Sequence, residues 1–444
     1  MYKENSLLKN IIIIVIGLFI LLFGMKVVSF FTTDTIASYI DIFPLTIATL
    51  FIAKMINLDK LLGRHNSVVF SLSIAFMAFL SLLYSTEFVF TLSSTNAISN
   101  HIEHNWAYEQ IKTISNFSIQ DWTSGALADL HIDKYANMFA YTSLMFIFGG
   151  DVVTHFCIFT TFNLGLQALL MVLIAFKLGV NNKNTLSLIL VVCLLQPMLD
   201  ATFAYGRDIT GQASLALGFY IFICTYKNDF TRLIAFPIYA YLFYSHRVQY
   251  TIIAAMLFLW SLFQGKKNAK NIIIGLAVII VVLFVFVSSI DWLSFIEGDL
   301  DVGSYEESSA RQGRGLFNML LLGTIGYFPW TNLISDSNWT YHIFACFQGA
   351  MNLTMIYYIV YLYKKRINAF YTNPSLLAGL MFLSFALYVP GHMAYTAVSM
   401  PFLAVGLYGI SKQQFFKTYG LTIMIIAVVG LAYNLLGLGG RSIL

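Results

Sequence analysis

Arginines and histidines are the residues of this 444-residue chain best suited to chemistry. Arg207, Arg247, Arg311 and Arg314 stand apart from the lysine-rich connections that hold most of the positive charge. A guanidinium grips phosphate or pyrophosphate through a bidentate fork, which makes anion recognition the first chemistry to consider. Arg207 sits in Tyr205-Gly206-Arg207-Asp208 between two apolar stretches, and Arg247 sits in Ser245-His246-Arg247. The stretches flanking Arg247 are short, about 15 residues each, and as helices they reach only about 22 Å. Arg247 therefore lies sunk towards apolar surroundings, where a charge is costly and points to function. The plainer readings are ion pairs of Arg207 with Asp208 or Asp200, and an Arg247 that snorkels to lipid phosphates.

A second group supplies proton-transfer chemistry. The segment His101-Ile102-Glu103-His104-Asn105-Trp106-Ala107-Tyr108-Glu109 sets two histidines around a carboxylate. Glu103, His104 and His246 are the candidate catalytic residues, with Glu109, Asp121, Asp129 and Asp133 as further carboxylates able to act as a base. His101, Glu103 and His104 lack the i, i+4 spacing of helical zinc motifs, so no metal site is read there. An ordinary solvated acidic loop is the plainer account of the segment.

Long apolar helices must position these groups. Hydrophobic residues make up 59% of the chain, charged residues 10%, and mean hydropathy is +0.76; soluble domains run near a quarter charged. Apolar windows long enough to cross about 30 Å of hydrocarbon recur at Asn10–Phe31, Ser67–Tyr84, Val152–Lys177, Asn271–Ile290 and Tyr419–Leu438. Lipid satisfies no backbone groups, so the fold class is all-α, a polytopic transmembrane helical protein. The first window carries no small-residue cleavage site and reads as an anchor. Cys157, Cys193, Cys224 and Cys346 fall in apolar runs and read as inert thiols.

Basic connections recur at Lys54–Arg64, Lys177–Lys183, Lys227–Arg232, Lys266–Lys270, Lys364–Arg366 and Lys412–Lys417. With Lys3 and Lys9 they hold most of the 25 Lys+Arg residues and only Glu4, Asp59 and Asp229 of the 21 acids. Positive-inside bias places them and the N-terminus in the cytoplasm. Each interval between them then contains an even number of crossings. Asn137–Gly150 and Gly315–Trp330 are therefore expected to be re-entrant or surface-lying, giving about 13 spans (12–14) in one domain, 1–444. Two long external loops result, about 85–151 and 291–341. Loops of that length are usually functional.

This topology gathers His101, His104, His131, His155, His246, His342 and His392 on the external side, together with the four arginines. Trp106, Trp122, Trp292, Trp330 and Trp339 fall in the external loops as well, where an interfacial aromatic belt is the plainer explanation for any one of them. There is no Walker-type phosphate loop and no GxSxG elbow. Basic patches for nucleic acid are absent, so nucleic acid is not a partner, and no cofactor is called for.

The stretch from about Glu103 to Trp260 resembles the EpsG/Wzy-like polymerases of bacterial surface polysaccharides, of the membrane glycosyltransferase-C-like group. The resemblance rests on Glu103…Tyr108, on Phe148-Gly149 followed by Val152–Lys177, on Arg207-Asp208…Gly211-Gln212-Ala213, and on Tyr244-Ser245-His246-Arg247. The family pattern commonly has Asp where Glu103 stands and Gln where Asp208 stands. The resemblance implies a multi-pass protein of the bacterial inner membrane that polymerises undecaprenyl-pyrophosphate-linked oligosaccharide repeat units into O-antigen or capsule on the external face. It implies pyrophosphate binding by Arg207, Arg247, Arg311 and Arg314, with a loop carboxylate or histidine as base, and a chain-length regulator protein as a partner. A single-sugar lipid-linked glycosyltransferase and a flippase or transporter of lipid-linked sugars are the competing expectations.

Overall fold

The computed structural model describes residues 7–31, 37–85, 152–198, 207–246, 250–263, 339–365, 372–388, 393–407 and 409–436. Every regular element among them is a helix. In chain order these are α1 (Leu7–Phe31), α2 (Ala37–Ile40), α3 (Ile42–Met55), α4 (Leu58–Leu62), α5 (Asn66–Ser85), α6 (Val152–Lys177) and α7 (Lys183–Met198). They continue as α8 (Arg207–Thr225), α9 (Asp229–Tyr244), α10 (Tyr250–Phe263), α11 (Trp339–Lys365), α12 (Pro374–Tyr388), α13 (Met393–Ala404) and α14 (Lys412–Leu435). Three segments, Leu7–Phe30, Cys157–Lys177 and Lys412–Ala432, are long and apolar enough to cross a membrane by length and composition. The window Asn271–Ile290, the segments Asn137–Gly150 and Gly315–Trp330, and nearly all of both long loops lie outside the described residues.

The basic connections are built turns. After α6 the Gly179 N–H bonds the Phe176 carbonyl at 3.0 Å and the Val180 N–H bonds that of Ala175 at 3.0 Å. With Gly179 at φ 92, this is the glycine-terminated helix end that closes the last carbonyls. Asn182 then starts α7, its Oδ1 accepting from the Asn184 N–H at 2.9 Å. Asn228 caps α9 by accepting from the Thr231 N–H, and Asn373 and Ser411 do the same for α12 and α14. At α5 the cap is remote: Asp59 Oδ1 accepts from the Ser67 N–H at 2.7 Å, while its other oxygen pairs with Lys54. Partial burial pushes the Asp59 carboxyl up, but the hydrogen bonds from Lys54 and Ser67 and the Lys54 charge outweigh it and hold the group below its ordinary value. Short turns force antiparallel neighbours, and α6 packs on α7 and α8 on α9 accordingly.

α6 is the axis of the bundle. Its apolar window is buried along its whole length, and it packs against α3, α5, α7, α8 and α13. α1 and α14 are the opposite case, with most of their windows facing outward. Phe19, Phe23 and Phe30 of α1 and Met424, Val428 and Leu431 of α14 are exposed among the described residues, an apolar surface compatible with a membrane protein. Glycines let the helices approach closely where packing rather than hydrophobic collapse must hold them. Gly17 and Gly24 of α1 receive Ile52 and Pro44 of α3, and Gly218 of α8 lies against Leu242 and Phe243 of α9.

Helix length sets how deep the connecting turns lie. α6 has 26 residues, about 39 Å at the helical rise, while α9 has 16 and α10 has 14, about 24 and 21 Å. With their basic ends level with that of α6, α9 and α10 stop well short of its far end. The turn between them, which carries His246, lies well below that far end.

Candidate functional site

The site is a recess in the surface of α8, left by Gly211, that receives the histidine at the end of α9. Gly211 lies directly beneath the His246 ring, so that a β-carbon there would fall within the imidazole. The ring also meets Tyr250, edge to face at 5.3 Å between centroids. His246 is buried, and its N–H bonds the Phe243 carbonyl at 3.2 Å, so the chain leaves α9 in a tight turn that folds the histidine back over α8. Ser245 supports that turn through its hydroxyl, which donates to the Leu242 carbonyl at 2.9 Å.

Next to Gly211, Gln212 reaches across to the central helix. Gln167 Nε2 donates to Gln212 Oε1 at 3.1 Å, and both side chains are buried. Gln167 lies ten residues before Lys177 and Gln212 thirteen before Thr225, which puts the pair about 15 to 20 Å from the basic ends of α6 and α8. Asn163, one turn from Gln167 on the same face of α6, is buried too.

Below this polar layer the interior is aromatic. Tyr250 packs on Phe382 at 5.0 Å, Phe382 on Phe402 at 4.9 Å, and Phe402 on Phe219 at 5.2 Å. Phe222 continues the column to Tyr239 and Trp260 at 5.5 and 6.4 Å. Inside such apolar packing a charge acts more strongly than in water. A second buried amide contact, Gln348 to Asn352, stays within one helix and ties no elements together.

The sequence-predicted residues divide accordingly. His246 falls in the recess. Arg207 opens α8 four residues before Gly211, on the same helical face by register. Arg247 follows His246 directly in the chain, and it lies outside the described residues, as do Glu103, His104, Arg311 and Arg314. Among the described residues no three His, Cys, Asp or Glu side chains gather to hold a metal ion. All four cysteines are free thiols. Gln167 and Asn163 are not among the sequence-predicted residues. Their signal is present in the sequence: two amides at i, i+4 inside an otherwise apolar span, where polar groups are rare and mark function.

The arrangement offers an imidazole able to accept or donate a proton, a backbone surface kept bare by Gly211, and a spare amide donor and acceptor under them. Arginines adjoin the contact in the chain on both sides. No protein-family model, curated protein or solved structure matches this chain.

Proposed function

We propose that the protein is a membrane glycosyltransferase that polymerises undecaprenyl-pyrophosphate-linked oligosaccharide repeat units into surface polysaccharide, on the external face of the bacterial inner membrane. One observation carries the reading: two separate pieces of the polymerase-like pattern, Arg207…Gly211-Gln212 and Tyr244-Ser245-His246-Arg247, meet through the Gly211–His246 contact.

In the proposed reaction an acceptor sugar hydroxyl attacks the anomeric carbon of the growing glycan. The new C–O bond forms as the bond to the pyrophosphate oxygen breaks. The electron pair leaves with undecaprenyl pyrophosphate, and the hydroxyl proton passes to a base. His246 is the base available in the recess, with Glu103 and His104 of the first long loop as the alternatives. Arg207 and Arg247, with Arg311 and Arg314 of the second loop, neutralise charge developing on the leaving pyrophosphate.

Deleting the gene is expected to leave cells bearing a single repeat unit, on its lipid carrier or on a lipid A core, in place of long glycan. Gel separation of surface glycan with mass analysis of lipid-linked material reads the result. A truncated repeat instead indicates single-sugar transfer, complete units stranded on the cytoplasmic side indicate a flippase, and normal long chains overturn the reading. The orientation has its own test. Cysteines placed at 183, 267 and 365 should resist a membrane-impermeant thiol reagent in spheroplasts, and those at 103, 247 and 306 should label. Labelling at 183 or 267 would invert the map.

A further inference from the structure

We propose that Gln167 and Gln212 together form a hydroxyl-binding pair for the glycan between α6 and α8, an assignment that rests on the glycan-polymerase reading. Two facing primary amides can exchange two hydrogen bonds, yet here they exchange one, from Gln167 Nε2 to Gln212 Oε1. Gln167 Oε1 and Gln212 Nε2 are left with no hydrogen-bond partner among the described residues, on side chains of residues 0% and 1% exposed. Buried donors and acceptors in native proteins are satisfied by something. Exchanging oxygen and nitrogen in both amides leaves the same remainder, one donor and one acceptor.

That remainder selects its ligand. A pyrophosphate oxygen has no proton for Gln167 Oε1, and a cation has no lone pair for Gln212 Nε2. A sugar hydroxyl meets both, donating to Gln167 Oε1 and accepting from Gln212 Nε2. The pair comes from two helices, α6 and α8, and Gln212 follows in the chain the glycine that seats His246. The pyrophosphate is thus left to the arginines and the saccharide to the amides.

The test uses the full chain in lipid nanodiscs, titrated under native mass spectrometry with two probes. One is the saccharide-bearing lipid extracted from the deletion strain, and the other is bare undecaprenyl pyrophosphate. The wild type should prefer the saccharide-bearing lipid. The Gln167→Met and Gln212→Met double variant removes both amides together and so leaves neither unpaired. It should melt no lower than the wild type, hold the bare lipid unchanged, and bind the saccharide-bearing lipid roughly tenfold more weakly. Should the double variant fail to insert, Gln212→Asn, which withdraws the amide by one methylene, should produce the same selective loss. An unchanged preference in the variants means that the pair holds only water, and overturns the assignment alone. A wild type that binds both lipids equally does the same. A wild type that binds neither lipid overturns the polymerase reading and this assignment with it.

Discussion

Alanine at position 207 is expected to stop polymer formation while leaving the protein inserted at wild-type levels, and alanine at position 247 to do the same. Arg207 begins α8 one turn before Gly211, and Arg247 follows His246, so the two bracket the one contact that joins the motifs. Each carries a permanent guanidinium charge of the kind that the proposed leaving pyrophosphate requires. Removing a preorganised charge partner of a developing anion typically lowers turnover 10²- to 10³-fold, an effect of roughly 3 to 4 kcal/mol on the barrier. Lysine should restore only part of this, because an ammonium is a point charge without the planar fork that fits pyrophosphate. Surface glycan on gels, at matched protein levels, is the measurement. Wild-type chain length from both alanine variants would remove pyrophosphate binding from these residues.

How much of the fold and the site is legible in the sequence depends on what each signal averages over. α6 spans the very residues of its apolar window, Val152–Lys177, and α5 differs from Ser67–Tyr84 by one residue at each end. α14 starts at Lys412, seven residues before its window, since hydropathy discounts a polar first turn that Ser411 nonetheless caps. The short spans around Arg247 are legible because Asn228 and the Ser-His-Arg turn punctuate them, and their length alone gives the depth of the turn. The contact of Gly211 with His246 is not, because periodicity tells which residues share a helical face but not which face meets which neighbour. Gln167 is hidden for a related reason. One amide hardly lowers the mean of a 26-residue apolar run, although it changes the chemistry of the interior it enters. The residues that would complete the site from the loops, Glu103, His104, Arg311 and Arg314, remain sequence-based assignments.

Replacing Gly211 by alanine is expected to cost as much activity as removing His246 itself, and the two losses should not add. The new methyl would overlap the imidazole, a ring that also packs on Tyr250, itself packed on Phe382. The helices cannot easily separate. Two turns further along α8, Gly218 is pressed against Leu242 and Phe243, which locks α8 and α9 at that level. The histidine must therefore turn out of the recess. Overpacking of this kind destabilises by about 1–3 kcal/mol, which leaves the protein folded. Loss of a positioned general base lowers rate by roughly 10²- to 10⁴-fold. The check is a double-mutant cycle on polymerisation rate in membranes, with Gly211→Ala, His246→Ala and both together. If the glycine acts only by making room for the ring, then in the His246→Ala background the space is already empty and the added methyl should change the rate less than about twofold. A full additional loss in the double variant would mean that Gly211 serves some other contact, such as the approach of the glycan to the α8 backbone. Retention of activity in His246→Ala alone would move the base to the loop residues Glu103 or His104.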